Sequence, residues 1–344
     1  MRKRLFILLG AGFGLSSCAH HSFPFREPQS EVAPNTVWNG IISRVAVSKL
    51  QEPCVPRRIV PPHGVAIRGK VIMIHGFTAC PQQYFELSER LAAEGWISYL
   101  LLLPGHGRVK RAGGIDDSDS FPGHGLIAPY DALANDVVAL ARADSLPTTV
   151  VGLSVGGAVA LDAVLKAPAD FDRALLISPF FAANDNFLRT FGLPVLGRVP
   201  LTDNHRIAWG PVCLDEMKRG RGGDCSFKLH QLSTVQAYGK KVSNKSHSVS
   251  TKIQIIGVEE DGAASTSWIR RTAKKLGIGK SSSDASACFY PEGANHSLLS
   301  RFDHPDENKY WLSSLLKSAT AFIDQGRRFE AAPATSDKIP GCRF

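Results

Sequence analysis

Short apolar runs alternate with amphipathic segments from Val71 into the C-terminal part of the chain. The apolar runs are rich in Val, Ile and Leu and have the length of buried strands. They cover Val71–Ile74, Ile97–Leu103, Thr149–Leu153, Ala174–Ile177, Ile253–Ile256 and Cys288–Tyr290. Helical spacing of apolar residues lies between them, over Gln83–Glu94, Ala132–Ala143, Val155–Ala167 and Ser267–Lys275. Strands that alternate with helices in this way predict an α/β fold with a mainly parallel, doubly wound sheet.

The alternation stops between Ile177 and Ile253, where the sequence is rich in Gly, Pro, Asn and Arg and shows weak periodicity. A connection of this length is rare as a plain loop, so we expect an inserted cap or lid over residues 179–250. The cap would interrupt one core formed by residues 46–178 and 251–330. A C-terminal tail over residues 331–344 would follow.

The N-terminal segment has the pattern of an export signal. Three basic residues at positions 2–4 precede an apolar run, Leu5–Leu15, that is too short to span a bilayer. The run closes in Leu15-Ser16-Ser17-Cys18, which resembles a bacterial lipobox. That resemblance implies a lipoprotein signal peptide over residues 1–17, cleavage before Cys18 and lipidation of its thiol. An ordinary signal peptide with an incidental cysteine is the alternative.

A lipid anchor at Cys18 would hold the exported protein on a membrane of the bacterial cell envelope. In a Gram-negative cell this would be the outer membrane or the periplasmic face. Residues 18–45 are expected to form a tether between this anchor and the core.

The charge of the chain bears on its partners. The formal net charge is +9, and removal of residues 1–17, which hold three basic and no acidic groups, leaves +6. Residues 179–250 contain ten Lys or Arg and five Asp or Glu, so much of the surplus lies in the predicted cap. A basic surface attracts anionic lipid or an acidic substrate, but solvated charged loops have the same composition. The sequence contains no nucleic-acid-binding motif, so nucleic acid is not an expected partner.

Six cysteines remain after Cys18, and an even number in an exported protein suggests disulfides. Cys213 and Cys225 share one loop-rich stretch and are the favoured pair, although six cysteines allow many connectivities. The spacing of Cys and His does not match a zinc site, so no metal is expected.

The stretch Gly152-Leu153-Ser154-Val155-Gly156 reads as G-x-S-x-G, with a β-branched run before it and a helix-forming run after it. In this nucleophile elbow a strand turns sharply into a helix and exposes the serine hydroxyl. Side chains at Gly152 or Gly156 would crowd the turn. The pattern also occurs by chance in Gly- and Ser-rich loops, but the flanking strand and helix favour Ser154 as a nucleophile.

A serine nucleophile needs a base and an orienting acid, and reactive groups gather at the C-terminal ends of parallel strands. Asp261 follows the predicted strand Ile253–Ile256. It is favoured as the acid because Gly262 suits a sharp turn that directs the carboxylate toward the base. Glu260 is the next alternative, and Glu259 lies close by.

His296 is the favoured base among the eleven histidines of the chain. It comes soon after the last predicted strand and precedes a terminal helical segment. The order Ser154, Asp261, His296 is the order of an α/β-hydrolase triad. A histidine on a surface loop is the alternative.

The oxyanion hole should combine the backbone N–H after the nucleophile with one from the loop after an earlier strand. These conditions point to Val155 and to Phe77, which lies in His75-Gly76-Phe77-Thr78 directly after Val71–Ile74. The Phe77 ring would line the acyl pocket. A simple turn at His-Gly-Phe is the alternative.

Together the motifs resemble the α/β-hydrolase superfamily over roughly residues 68–325. They are His75-Gly76-Phe77, Pro104-Gly105-His106-Gly107, the Gly152–Gly156 turn, Asp261 and His296. Within the superfamily the chain is most similar to the monoacylglycerol lipase, carboxylesterase and serine-aminopeptidase-like group. The resemblance implies an α/β-hydrolase fold whose cap is inserted after the strand that follows the nucleophile helix. It also implies acyl-enzyme chemistry at Ser154 without a metal or an organic cofactor, and a structural role for His106.

These observations predict a membrane-anchored serine esterase or lipase that cleaves carboxylic esters, with monoacyl lipids among the candidate substrates. One alternative is a peptidase or amidase of the same fold, which would have to recognise an amine. Another is an acyltransferase that passes the acyl group to an alcohol other than water. A lipoprotein scaffold that has lost activity is disfavoured, because every part of the machinery has a candidate residue. The oligomeric state stays open.

Overall fold

The computed structural model describes residues 35–109, 118–184, 205–209, 211–279, 284–290, 294–303, 309 and 311–329. Its strands are β1 (Arg57–Ile59), β2 (Gly69–Ile74), β3 (Trp96–Leu101), β4 (Thr148–Leu153), β5 (Arg173–Ile177), β6 (Arg206–Ala208), β7 (Ser226–Lys228), β8 (Lys252–Val258) and β9 (Ser286–Tyr290). Seven of them form one sheet in the order β1-β3-β2-β4-β5-β8-β9. β1 pairs antiparallel with β3 at one edge, and the other neighbours in this sheet are parallel. The predicted mainly parallel α/β sheet is confirmed.

Helices cover both faces of the sheet. They are α1 (Thr36–Ser43), α2 (Phe85–Ala93), α3 (Ala128–Arg142), α4 (Val155–Lys166), α5 (Pro211–Lys218), α6 (Leu229–Lys245), α7 (Thr266–Lys275) and α8 (Leu312–Gln325). Helices α1, α3, α4, α6 and α7 contribute to one apolar core, and α2 and α8 contribute to the other. In β2, Ile72 and Ile74 belong to the first core, whereas Val71 and Met73 belong to the second. This alternation follows from the two-residue period of a strand that is buried on both faces.

All six predicted strands and four predicted helices are present, with boundaries that shift by a few residues. The strand predicted to end at Leu103 ends at Leu101, because the Leu103 N–H donates to the His75 ring at 2.9 Å instead of to a neighbouring strand. The helix predicted from Ala132 begins at Ala128, with a proline in its first turn. Proline is favoured there because the first turn of a helix needs no N–H donor.

Helix α1 corrects the prediction that residues 18–45 form a tether. Trp38 and Ile41 of this helix are buried in the core, and the helix contacts α3. Asn35 caps it, because its side-chain oxygen accepts from the Trp38 N–H at 2.9 Å. Residues 35–45 are therefore part of the folded domain. Cys18, residues 1–34 and the tail predicted over residues 331–344 lie outside the described residues.

The predicted cap over residues 179–250 is also shorter than expected at its C-terminal end. Helix α6 packs against α4 and α7 in the first core, so the core resumes at Leu229. Gly239 lets α6 also approach the chain after β5, because a Cβ there would lie 2.4 Å from the Phe180 carbonyl oxygen. The described part of the cap contains α5 and the antiparallel pair β6–β7. Residues 185–204 and Gly210 lie outside the described residues.

Two disulfides lie in or next to the cap. The predicted pair is confirmed: Cys213 and Cys225 have an S–S distance of 2.11 Å and a Cα–Cα distance of 5.7 Å. A second disulfide, Cys54–Cys80, was not predicted. Within the described ranges, no helix is both long and apolar enough to cross a membrane.

Candidate active site

Ser154 lies between β4 and α4 in a backbone conformation that is rare for a residue with a side chain, with φ 55° and ψ −118°. The neighbouring glycines make the turn sterically feasible. A Cβ on Gly156 would lie 2.0 Å from the Ile74 carbonyl oxygen, and one on Gly152 would lie 2.2 Å from the Gly156 carbonyl oxygen. A strained backbone conformation of this kind persists only where many surrounding contacts hold it in place. Such strained residues are typical of functional sites.

The backbone on both sides of Ser154 is fixed by the neighbouring strand. The Ser154 N–H donates to the Ile177 carbonyl oxygen at 2.9 Å, and its carbonyl oxygen accepts from the Phe180 N–H at 2.8 Å. The serine is held at the C-terminal end of β4, next to the C-terminal end of β5. The position of its side chain is thus set by rigid elements.

His296 and Asp261 form a hydrogen-bonded pair. The His296 Nδ1 lies 2.7 Å from the Asp261 Oδ2. The other carboxylate oxygen, Oδ1, accepts from the N–H groups of Ala263 and Ala264 at 2.8 Å each. These two donors fix the carboxylate in its turn. Gly262 has open space around it, so a side chain would fit at this position. The hydrogen bonds from Ala263 and Ala264 therefore hold the turn, and the small size of Gly262 is not required.

The alternative acids are placed differently. Glu259 pairs with Arg270, with an oxygen–nitrogen distance of 2.7 Å, and Glu260 is exposed. Among these three acidic residues, the structure places the Asp261 carboxylate against the His296 ring.

The charges of the pair favour an ionised carboxylate beside a basic imidazole. Burial alone would raise the pKa of Asp261, but His296 and the two backbone donors hold this pKa below its usual value. Burial likewise acts to lower the pKa of His296, and the Asp261 carboxylate outweighs it and raises that pKa above 6.5. A histidine with this pKa is suited to accept a proton from a hydroxyl and return it to a leaving group.

Ser154 and the His296–Asp261 pair lie at the C-terminal ends of nearby strands of the sheet. Ser154 follows β4, Asp261 follows β8, and β5 lies between these strands. In the described part of the chain, the Ser154 hydroxyl makes no hydrogen bond to His296. Catalytic hydrogen bonds of this kind are often long without substrate and tighten when the substrate binds.

The peptide group between Gly76 and Phe77 is oriented by its carbonyl end. The Gly76 carbonyl oxygen accepts from the His75 Nδ1 at 2.7 Å and from the Ala79 N–H at 3.2 Å. In a trans peptide the N–H points away from the C=O, so the Phe77 N–H points away from these donors. Val155 opens helix α4, where N–H groups have no acceptor within the helix. Both predicted oxyanion donors thus have N–H groups that bond to no described residue.

His75 supports the Gly76 carbonyl as a neutral ring. Its Nε2 accepts from the Leu103 N–H at 2.9 Å, so its proton lies on Nδ1 and is donated to Gly76. Burial lowers the pKa of His75 to about 3, which keeps the ring uncharged. In the sequence His75 is only part of the His-Gly-Phe motif, and no local pattern indicates this supporting role.

The Phe77 ring belongs to an aromatic cluster that joins core and cap. Its centroid lies 5.2 Å from that of Phe121 and 5.3 Å from that of Phe227 in the cap strand β7. His106 stacks on Phe121 at 3.8 Å, in keeping with the structural role implied for it. Lining of an acyl pocket by Phe77 stays a prediction. The described residues contain no cluster of His, Cys, Asp and Glu that could hold a metal ion.

Solved structures with the same fold include several lipid and ester hydrolases. A monoacylglycerol lipase of Paleococcus ferrophilus is 15% identical, with a TM-score of 0.56, over 79% of this chain and 98% of that chain. A soluble variant of monoglyceride lipase from Saccharomyces cerevisiae is 16% identical, with a TM-score of 0.58, over 78% and 91%. A carboxyl esterase from Bacillus coagulans is 15% identical, with a TM-score of 0.52, over 78% and 94%.

The sequence of the chain identifies its family. No curated protein sequence matches the chain. The sequence profile of the family Hydrolase_4, described as serine aminopeptidase, S33, matches residues 66–300, which is more than half of the chain. The chain therefore belongs to this Hydrolase_4 family of the α/β-hydrolase superfamily.

Proposed function

We propose that the protein is a serine hydrolase that cleaves carboxylic esters through an acyl-enzyme on Ser154. The observation that carries this proposal is Ser154, which is held in a strained backbone conformation at the C-terminal end of β4. The His296–Asp261 pair lies on the same side of the sheet. The two N–H groups of Phe77 and Val155 supply the remaining requirement, which is stabilisation of a developing oxyanion.

In the proposed reaction the Ser154 Oγ attacks the carbonyl carbon of the ester, and the His296 Nε2 takes the hydroxyl proton. The carbonyl oxygen becomes an oxyanion and accepts hydrogen bonds from the Phe77 and Val155 N–H groups. Collapse of this intermediate breaks the ester C–O bond, and His296 protonates the departing alkoxide. Water then attacks the acyl-enzyme, His296 again takes and returns a proton, and the carboxylic acid leaves Ser154. The Asp261 carboxylate stabilises the imidazolium that forms in both halves of the reaction.

Esters are favoured over peptides as the substrate class. Two solved structures of the same fold are monoacylglycerol or monoglyceride lipases, which makes monoacyl lipids candidate substrates. The family description names a serine aminopeptidase, and such an enzyme needs a carboxylate that binds the substrate ammonium group. In the described part of the cap, the buried Glu216 carboxylate faces Arg221 at 3.5 Å and is therefore already paired with a cation. The buried Asp224 carboxylate accepts from the Gly107 N–H at 3.4 Å.

The proposal is tested with p-nitrophenyl esters of increasing acyl length and a matched p-nitroanilide, using the full-length protein in detergent. We expect ester turnover that exceeds anilide turnover, with an optimum chain length that reflects the size of the acyl pocket. Preferential turnover of the anilide would favour the amidase alternative. No turnover of either substrate by folded protein would favour a binding or scaffold role.

We also propose that the Cys18 thiol carries a lipid that anchors the protein to a membrane of the bacterial cell envelope. The support is the lipobox-like sequence alone. The variant Cys18→Ala is expected to move from the membrane fraction to the soluble fraction of fractionated cells. Ser22→Ala, four residues further on, is the control and should stay with the membrane. Continued membrane association of Cys18→Ala would contradict anchoring through this cysteine.

A further inference from the structure

The loop that carries the Phe77 N–H is in direct contact with a segment of the cap. We call residues 76–80 the oxyanion loop and residues 213–225, which the Cys213–Cys225 disulfide closes, the cap arm. The Thr78 carbonyl oxygen accepts from the Asp224 N–H at 2.8 Å. A Cβ on Gly223 would lie 2.4 Å from the same oxygen. The cap arm therefore packs against the oxyanion loop backbone to backbone.

A buried chain of hydrogen bonds makes a second connection between the two segments. The Arg221 Nε of the cap arm donates to the Asp303 Oδ1 at 2.9 Å. The Asp303 Oδ2 accepts from the Gln83 Nε2 at 2.5 Å, and the Gln83 Oε1 accepts from the Gly76 N–H at 2.9 Å. Gln83 and Asp303 are both buried. Only one orientation of the Gln83 amide can accept from an N–H and donate to a carboxylate, so the network fixes it.

The Gln83 amide completes the set of contacts that orient the oxyanion loop. It holds the Gly76 N–H, whereas His75 and Ala79 hold the Gly76 carbonyl oxygen. The two planar peptide groups on either side of Gly76 are thus both pinned. Rotation about the Gly76 backbone would redirect the Phe77 N–H, and glycine resists such rotation less than any other residue. Without the Gln83 bond, one of these peptide groups would lose its side-chain partner.

Asp303 is charged and is surrounded by groups that keep it so. Burial alone would raise its pKa, but Arg221, the Gln83 amide and Lys309 hold the pKa below its usual value. The Asp303 carboxylate also contributes to the raised pKa of His296. A buried charge with partners on three segments favours one arrangement of those segments, because separating any of them would remove one of its partners.

We infer that Gln83 is a positioning residue for the oxyanion hole, and that Asp303 and Arg221 couple it to the cap arm. The inference rests on the proposed ester hydrolysis and adds residues outside the triad and the two N–H donors.

The test compares two adjacent glutamines of the same turn, Pro81–Tyr84. Gln83→Met removes the bonds to Gly76 and Asp303 while keeping the size of the side chain. Gln82→Met is the matched control: Gln82 is also buried and bonds to the Gly220 carbonyl oxygen at 2.8 Å and the Gly222 N–H at 2.7 Å. Both variants lose two hydrogen bonds of a buried glutamine. Gln82→Met loses two to the cap arm and none to the oxyanion loop, whereas Gln83→Met loses one to the oxyanion loop and one to Asp303.

For Gln83→Met we expect kcat for the best p-nitrophenyl ester to fall by about 10²-fold, with KM nearly unchanged, because the loss concerns the transition state. The affinity for a boronic acid, which mimics the tetrahedral intermediate, should fall in parallel. Gln82→Met should lower the unfolding temperature without this loss of kcat. If Gln83→Met does not fold, Asp303→Asn takes its place, with a smaller expected loss of kcat because one acceptor oxygen remains.

Equal kcat values for the Gln83 and Gln82 variants of an active enzyme would overturn the inference and leave the proposed function intact. A loss that appears in KM alone would also overturn it, because it would indicate a role in substrate binding. Absence of ester turnover by the wild-type protein would overturn the proposed function and this inference together.

Discussion

Ser154→Ala is expected to lower kcat for ester hydrolysis by about 10⁶-fold. The triad acts as a unit, so removal of the attacking oxygen leaves His296 and Asp261 without a reaction to assist. The fold should not change, because the bonds that hold this turn come from the Ser154 backbone and not from its hydroxyl. Steady-state hydrolysis of a p-nitrophenyl ester and a thermal unfolding curve measure the two effects.

Ser178→Ala is the matched control for this prediction. Ser178 follows β5, next to the nucleophile turn, is buried and also has a positive φ, of 41°. Its hydroxyl oxygen has no hydrogen-bond partner among the described residues, so its removal should cost little stability or activity. Wild-type turnover by Ser154→Ala would assign the nucleophile to another residue. Equal losses in the two variants would indicate a structural effect.

Asp261→Asn is expected to lower kcat by about 10⁴-fold, the size of effect seen when the orienting acid of a triad becomes an amide. The N–H groups of Ala263 and Ala264 would retain the amide oxygen at the Oδ1 position. The amide nitrogen would then face the His296 Nδ1 and donate to it. This places the remaining ring proton on Nε2, so the ring cannot accept the Ser154 proton. Stopped-flow or steady-state kinetics at neutral pH measures the loss.

The pH dependence of the same variant gives an independent readout. In the wild type the Asp261 carboxylate raises the pKa of His296, so kcat/KM should fall as the pH drops through that value, above 6.5. The Asp261→Asn variant lacks the charge, so its acid limb should move to lower pH. Glu260→Gln is the control, because this exposed acid should change neither kcat nor the pH profile. A larger loss in Glu260→Gln than in Asp261→Asn would contradict the choice of acid.

The sequence predicts those parts of the molecule that depend on local pattern and strand order. Fully buried strands appear as apolar runs, and in a parallel sheet their C-terminal ends all lie on the same side. For this reason the sequence alone predicts that Asp261 and His296, which follow consecutive strands of the chain, lie close together. Their pairing at 2.7 Å agrees with that reasoning.

The remaining features depend on tertiary contacts that leave little local signal. Helix α1 has eight residues and is buried through Trp38 and Ile41, too few apolar positions to distinguish it from a tether. The Cys54–Cys80 disulfide joins loops that meet only in the fold. Gln83 and Asp303 are 220 residues apart, so their contact cannot be read from spacing. Gln83 looks in the sequence like an ordinary polar residue at the start of a helix.

The most direct test of the central claim is the site of labelling by a fluorophosphonate, which forms a covalent bond with an activated serine. Labelled full-length protein is digested, and the modified peptide is identified by mass spectrometry. We predict a single adduct on the peptide that contains Ser154, with no adduct in the Ser154→Ala variant. A folded protein without any adduct, or with the adduct on another residue, would contradict the assignment of Ser154 as the nucleophile.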